Sequence, residues 1–485
     1  MQQQQSIKKN YIYNTLYKVL TIITPLITAP YAARIFGADG TGIQSYVGSI
    51  LAYFVLFAGL GTASYGQREI AMHRDDKKKT SKTFIEIELM VILTTTISLI
   101  AWIIMICFTT KYTMYYVVLT MNIIGVIFDI SWFFGAFERF RLIVIRNSII
   151  KIVGVIILFV FVREKNDLLL YLGLTAASGL IGNISLWFSL PKFICKIPLK
   201  GLSIKRHLKE TMIYFVPTIA TTIYTVLDKT MIGLITGQEV ENGYYEQTNK
   251  ITNMAITVVT SLNIVMAARM SYLYAEKKFD EIKDRLKRSM DFTMLLSLPA
   301  VVGIMGIASN MVPWFFGQGY DKVVTLLYVY SPLIVIIAIS NCLGGQYLTP
   351  CGMRARSSKG IIVGAMVNLV CNAFLIPMFK SVGAAVASII AELVITIIYM
   401  HMSKGFMSYK ILFEKSWKRI IACIPMFFAI VLIGKMPTRP ILITLIQIIA
   451  GAFVYFVLLW LMKDNAAKEF VEKYLSKIFR KIKRS

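Results

Sequence analysis

The chain has 485 residues, of which 56% are hydrophobic and only 16% are charged, and it carries 52 Lys and Arg against 26 Asp and Glu. Soluble chains contain roughly 25% charged residues, so this sequence lacks the polar surface that soluble domains need. The composition excludes a soluble enzyme, a disordered chain and a fibrous repeat, and leaves a polytopic membrane protein. The net charge of +26 does not indicate a nucleic-acid partner, because the cations fall in bursts between apolar stretches, as in membrane proteins.

Long apolar stretches recur along the whole chain. A helix needs about 20 mostly apolar residues to cross ~30 Å of hydrocarbon, where it satisfies its own backbone hydrogen bonds. The sequence therefore predicts an all-α membrane protein with fourteen spans, the first of which is interpreted as a true span and not a cleaved signal peptide. The predicted spans lie at 11–34, 41–65, 83–109, 113–137, 147–163, 167–190, 210–236, 243–269, 289–311, 322–344, 359–378, 381–402, 418–434 and 440–462.

The cations between these spans indicate the orientation. With the N-terminus in the cytoplasm, 40 Lys and Arg fall on the inner side and 8 on the outer side, as the positive-inside rule requires. Both termini are therefore predicted to be cytoplasmic. The stretch Asn465–Arg484 alternates lysines with apolar residues, which indicates either a basic amphipathic helix on the inner leaflet or a charged topogenic tail.

A weak internal repeat relates the first and seventh spans. Pro25 and the glycines that open span 2 have counterparts in Pro217 and Gly243, at offsets of roughly 192 to 201 residues. An even number of spans separates the two copies, which predicts two parallel six-helix halves. The expected organisation is an N-terminal lobe at 1–208, a C-terminal lobe at 209–402, and two added spans with the tail at 403–485.

Several ionisable residues fall inside the predicted spans. Each costs at least ~2.5 kcal/mol at membrane depth and should face a cavity or a partner. One interpretation is a water-filled cavity, and the alternative is hydrogen bonding between helices. Glu246 and Lys250 are four residues apart and could simply pair on their own helix. The candidate cavity residues are Lys18, Arg34, Asp228, Lys229, Glu246 and Lys250, and the candidates for ion coupling are Asp228, Glu246, Asp129 and Glu392.

Seven blocks of sequence, in order, resemble the polysaccharide-flippase (Wzx-type) family, whose superfamily also holds multidrug MATE exporters and lipid II flippases. The blocks are Ala33–Gly37, Gly40 with Gly42, Gly59–Gly61, Gly66–Ala71, Asp129–Phe140, Asp228–Gly233 and Gly243–Ile251. The resemblance runs essentially from end to end.

The resemblance implies a V-shaped bundle of two six-helix lobes around a polar cavity. It implies that undecaprenyl-pyrophosphate-linked oligosaccharide moves from the inner to the outer leaflet by alternating access. Arg34 would be the matched cation for the pyrophosphate and Asp228–Lys229 the matched pair, whereas no motif assigns a role to Lys18 or Lys250. The partners implied are this oligosaccharide and membrane lipids, with a polysaccharide polymerase and glycosyltransferases as further candidates.

Two other functions stay open at this point. An ion-coupled multidrug exporter on the same fold would need an acidic cavity. The Asp and Glu residues inside the predicted spans are compatible with that alternative. A membrane polysaccharide polymerase would need a large external loop or catalytic groups at depth, which the short loops do not offer. The chain has no Walker-type phosphate loop, no paired C-x-x-C cysteines, and neither cofactor nor metal is expected.

Overall fold

The computed structural model describes residues 7–198, 201–261 and 263–469; the side chains of residues 7–19 and of a few isolated helical positions lie outside this description. The described residues form helices, with no strand among them. The α-helices are α1 (Ile7–Gly59), α2 (Thr62–His73), α3 (Lys77–Phe108), α4 (Thr113–Phe128), α5 (Ser131–Ala136), α6 (Phe140–Phe161), α7 (Leu168–Trp187), α8 (Ile204–Thr236), α9 (Glu239–Val259), α10 (Asn263–Ala275), α11 (Phe279–Phe316), α12 (Asp321–Tyr330), α13 (Leu333–Leu343), α14 (Arg354–Phe379), α15 (Ser381–Met402), α16 (Tyr409–Ile433) and α17 (Pro440–Leu461).

Within the described residues, ten helical stretches are long and apolar enough to cross a membrane, and the bent pair α12 and α13 would make an eleventh. The chain is thus an all-α, multi-pass membrane protein. One long helical stretch, Ile23–His73, contains predicted span 2 and the second half of predicted span 1. Predicted span 7 corresponds to α8, and predicted span 8 covers most of α9 and the first part of α10; none of these three helices is among the ten. α9 has many polar residues, and α8 includes side chains outside the description. The count of fourteen stays a prediction, and the predicted tail lies mostly outside the described residues.

One glycine interrupts α1. Gly37 has φ 67° and ψ −179°, a backbone conformation that residues with a Cβ atom rarely adopt. The break lies where the sequence predicts the link between spans 1 and 2. Thr41 Oγ1 donates to the carbonyl oxygens of Gly37 and Ala38, at 3.0 and 3.1 Å, and so binds carbonyls beside the break.

By its contacts the chain forms two compact units, residues 1–243 and 244–485. In the first unit α8 packs along α1 and also contacts α2 and α3. The predicted lobe boundary at 208 stays a prediction. In the second unit the aliphatic core is formed by α10, α11, α13 and α15.

Two backbones approach each other very closely in the first unit. A Cβ on Gly42 would lie 1.7 Å from the carbonyl oxygen of Glu239, and a Cβ on Gly243 would lie 1.9 Å from the carbonyl oxygen of Ala38. Gly243 follows Gly42 by 201 positions, and Glu239 follows Ala38 by the same 201 positions, so the two contacts are reciprocal. Their spacing equals one offset of the predicted repeat, and glycine is the residue that permits the approach.

An ion pair links the same region to the α3–α4 connection. Lys111 Nζ lies 2.6 Å from Glu239 Oε1, and the Tyr112 hydroxyl donates to the same oxygen. Burial by itself would raise the pKa of Glu239, but the hydrogen bonds from Lys111 and Tyr112 outweigh it and lower the pKa to about 2. The same contact raises the pKa of Lys111.

A buried arginine joins three helices of the second unit at one end. Arg419 on α16 is only 1% exposed. Its Nη1 donates to the carbonyl oxygen of Asp291 at 2.8 Å, and its Nε lies 3.3 Å from Asp464 Oδ2. Asp464 also accepts from the backbone N–H of Ala467 at 2.9 Å. These groups lie at one edge of a cavity of about 1300 Å³ lined by charged residues of both signs.

The glycine contact can be tested with two alanine substitutions. Gly42→Ala places a methyl group against backbone atoms that cannot rotate away, and overpacking of this kind costs about 1–3 kcal/mol. We expect an apparent Tm several degrees lower for the detergent-purified protein. Gly48→Ala is the matched control, because a Cβ there meets nothing within 4 Å and alanine favours the helix by about 1 kcal/mol. Equal Tm values for the two variants would contradict the close approach.

The Lys111–Glu239 pair predicts a pH-dependent contribution to stability. The pKa of Glu239 is lowered from 4.5 to about 2, so the contribution is complete above about pH 4.5 and is lost as the pH falls toward 2. Because Lys111 is 60% exposed, solvent screens the pair and we expect at most about 1 kcal/mol. Glu239→Gln should therefore lower the Tm at pH 7 and have a much smaller effect near pH 2.5, where most of the contribution is lost. Glu276→Gln, in an exposed pair with Lys278, serves as the control; a Glu239→Gln difference that is undiminished at pH 2.5 would refute this assignment.

Candidate functional site

The matched pair of the first unit lies on α8, facing α1. Asp228 is 5% exposed and Lys229 is half-buried. The next residue, Thr230, donates to Ser49 Oγ at 2.9 Å or Tyr53 OH at 3.2 Å. The backbone carbonyl of Lys229 accepts from the Asn242 amide at 2.9 Å. These bonds hold the 228–230 segment in one place and orientation.

The other two predicted cations of the first unit are described unequally. Arg34 lies on α1, one turn before the Gly37 break, and its side chain is exposed. An exposed guanidinium at a helix break is accessible to an anionic group. Lys18 lies on α1 as well, but its side chain falls outside the described residues, so its role stays a prediction.

In the second unit, the structure shows the pairing that the sequence left open. Lys250 Nζ lies 3.7 Å from Glu246 Oε1, one turn along α9. Such a pair neutralises both charges at depth. Glu392 on α15 is buried and accepts from Ser340 Oγ at 3.2 Å. The Asn372 amide donates to Asn368 Oδ1 at 3.0 Å, one turn along α14.

Asp129 lies at the break between α4 and α5 and has a basic partner. Arg146 Nη1 donates to Asp129 Oδ1 at 3.3 Å and to Asn183 Oδ1 at 2.9 Å. The Asn183 amide in turn donates to the carbonyl of Gly125 at 2.8 Å. Sequence reasoning identified Asp129 but counted Arg146 among the loop cations, because a pairing between separate helices is not visible in a linear pattern.

Two further groups were missed by the sequence reasoning. Glu88 on α3 is only 6% exposed, and its Oε1 has no hydrogen-bond partner among the described residues. Glu88 lies within predicted span 3. The criterion that selected Asp129, an ionisable residue inside a predicted span, would therefore have found it. His207, which the sequence places at the edge of a basic loop, is buried on α8: Nε2 lies 2.9 Å from Glu86 Oε2 and Nδ1 lies 2.7 Å from the Tyr65 hydroxyl.

The motif blocks themselves are largely packing contacts. A Cβ on Gly66 would lie 2.5 Å from the ring of Trp132, and one on Gly135 would lie 3.2 Å from the Gln67 side chain. Trp132 also stacks on Phe84 of α3. Two of the blocks that carry the family resemblance therefore pack against each other. Within the part of the chain that the structure describes, no group of three or more His, Cys, Asp or Glu could hold a metal ion.

Several known proteins are similar to this chain in sequence. The family model "Polysaccharide biosynthesis protein" matches residues 7–271. A "Putative O-antigen transporter" of Escherichia coli (strain K12) is 23% identical over 396 residues, which cover 81% of this chain and 95% of the relative. "Lipid II flippase MurJ" of Bacillus subtilis (strain 168) is 19% identical over 270 residues, covering 54% of this chain and 48% of the relative.

Solved structures are similar in fold. "Lipid II flippase MurJ, inward closed conformation" superposes with a TM-score of 0.73 at 16% identity, covering 96% of this chain and 99% of that one. An inward-facing multidrug resistance MATE family transporter of the MOP superfamily gives 0.57 at 12% identity, covering 84% and 96%. The fold is therefore that of the flippases and MATE transporters. Since the family model spans more than half of the chain, this protein belongs to the polysaccharide biosynthesis protein family of Wzx-type membrane flippases.

Proposed function

We propose that this protein is a flippase that moves a lipid-linked oligosaccharide across the membrane. The observation that carries the proposal is the family match together with relatives named as an O-antigen transporter and as flippases, one of which aligns over 95% of its own length. These relatives are transporters and not catalysts, which supports a non-enzymatic function.

The proposal extends to the details that the sequence predicted. The cargo would be an undecaprenyl-pyrophosphate-linked repeat unit that moves from the inner to the outer leaflet of the bacterial cytoplasmic membrane, for capsule, O-antigen or exopolysaccharide synthesis. The chain would cross the membrane fourteen times in two six-helix lobes and two added helices, with both termini cytoplasmic. A polymerase and glycosyltransferases would be its functional partners.

The chemistry of such a cargo agrees with a polar path among apolar helices. The oligosaccharide and pyrophosphate are too polar to cross ~30 Å of hydrocarbon unaided, whereas a polyprenyl tail is soluble in lipid. Arginine and lysine bind phosphate through charge-assisted hydrogen bonds. Arg34, which is exposed, and Lys229, which is half-buried beside Asp228, are the cations proposed to bind the pyrophosphate; Lys18 is a further candidate.

The alternative is an ion-coupled multidrug exporter, because the fold is also similar to that of MATE transporters. They superpose less closely than the lipid II flippase, with a TM-score of 0.57 against 0.73. An exporter of organic cations needs carboxylates that are free to bind them, but Glu246 pairs with Lys250. These observations favour the oligosaccharide.

The test of the function is a deletion strain. Loss of the gene should abolish surface polysaccharide and cause lipid-linked repeat units to accumulate on the inner leaflet, and expression of the protein from a plasmid should restore export. Unchanged surface polymer together with increased sensitivity to cationic drugs would instead support the exporter.

The proposed binding cations can be tested in the same strain. Arg34→Ala and Lys229→Ala should each lower surface polymer at least tenfold while the protein still inserts into the membrane, because each removes a phosphate-binding charge. Arg74→Ala is the matched control, since Arg74 is an exposed cation paired with Glu138. Normal export by either variant, measured at equal membrane abundance, would remove that residue from the site.

A further inference from the structure

Glu88 is a buried acid that has no ion-pair partner among the residues that the structure describes. It lies on the third apolar stretch, Lys77–Phe108, and is 6% exposed. Its Oε1 is buried and accepts no hydrogen bond from the described residues. Ile87, directly before it, and Met90, two residues after it, belong to an aromatic and aliphatic cluster that also contains Phe84 and Trp132. An ionised carboxylate in such surroundings is very costly, and a proton removes that cost.

The other ionisable groups near α3 have partners of their own. Glu86 is bound by His207 and by the backbone N–H of Ser203. Glu69 of α2 lies 3.9 Å from Arg206 of α8. The facing parts of α1 and α4 contain no Asp, Glu, Lys or Arg. None of these groups is a counter-charge for Glu88.

The like-charged group near Glu88 is the carboxylate of Asp129, whose neighbour Ile130 packs in the same cluster as Ile87 and Met90. This like charge further disfavours ionisation of Glu88. Asp129 differs from Glu88 in two respects: its side chain is 42% exposed and it is held by Arg146. One carboxylate is therefore buried and unpaired, and its neighbour is accessible and paired.

We propose that Glu88 is a proton-binding site and that Asp129 is the group through which the proton enters and leaves. On release, the O–H bond of Glu88 breaks and its electron pair stays on the Glu88 oxygen. The proton passes to a carboxylate oxygen of Asp129 and from there to water. Uptake is the reverse, and no other reactant is needed.

The consequence for transport rests on the proposed flippase function. Ionised Glu88 would repel the carboxylate of Asp129 and would thereby disturb the ion pair of Asp129 with Arg146. The contacts of α6 with α4 and α7 through Arg146 would then change with the protonation of Glu88. A proton gradient would thereby drive a conformational step of the flipping cycle.

The first experiment does not depend on transport. Infrared difference spectra of the purified full-length protein should show the C=O stretch of a protonated carboxyl group at neutral pH. Glu88→Gln should remove this band, whereas Glu138→Gln, at an exposed acid, should leave it. Asp129→Asn is the second variant; loss of its negative charge should weaken the band at neutral pH. A band unchanged in Glu88→Gln, or none in the unsubstituted protein, would overturn the proposal.

The second experiment uses vesicles with an imposed pH gradient and a fluorescent lipid-linked oligosaccharide. The gradient should accelerate flipping several-fold in the unsubstituted protein and in Glu138→Gln but not in Glu88→Gln, which should keep its gradient-independent rate. Acceleration of Glu88→Gln to the same extent would overturn the coupling role. If neither the unsubstituted protein nor a variant flips the lipid, the proposed function is wrong. The infrared band still decides whether Glu88 carries a proton.

Discussion

The cost of placing a charge where no water can reach it is the constraint on which this structure depends. Arg419 at one end of the second unit is joined to Asp464 and to the backbone of Asp291. His207 in the first unit is bound on both ring nitrogens, by Glu86 and Tyr65. These pairs link helices that are distant in sequence, because each group must find its partner on another helix. Glu88 lacks such a partner, and this is why we assign it a proton.

Close packing of backbones is the second determinant of the fold. At Gly42 and Gly243 the absence of a side chain lets carbonyl oxygens of the opposite segment approach within contact distance. Gly66 does the same for the ring of Trp132. In lipid there is no hydrophobic force between helices, so small residues that increase contact contribute strongly to association. Packing of this kind explains why these glycines occur in the motif blocks.

The motif blocks contain only some of the residues to which we assign a function. Gly66–Ala71 and Asp129–Phe140 are mainly a packing interface, although Asp129 also holds Arg146. The Asp228–Gly233 block contains the half-buried Lys229, which we propose as a phosphate ligand. Glu88 lies outside every block. A resemblance carried by motifs therefore identifies the family well and the working residues less completely.

Sequence alone determined the class of this protein, because the need for about 20 apolar residues per span and the low content of charge leave few alternatives. It also indicated the repeat, one offset of which matches the reciprocal contact at Gly42 and Gly243. It could not determine partners, since a pair such as Arg146 and Asp129 depends on how helices rotate and pack. For the same reason it counted His207 and Arg146 among loop residues. Glu88, in contrast, lies within a predicted span, where the sequence alone could have identified it. Which charges are neutralised and which remain unpaired was decided by the tertiary structure, because side chains meet across helices that the linear pattern treats one at a time.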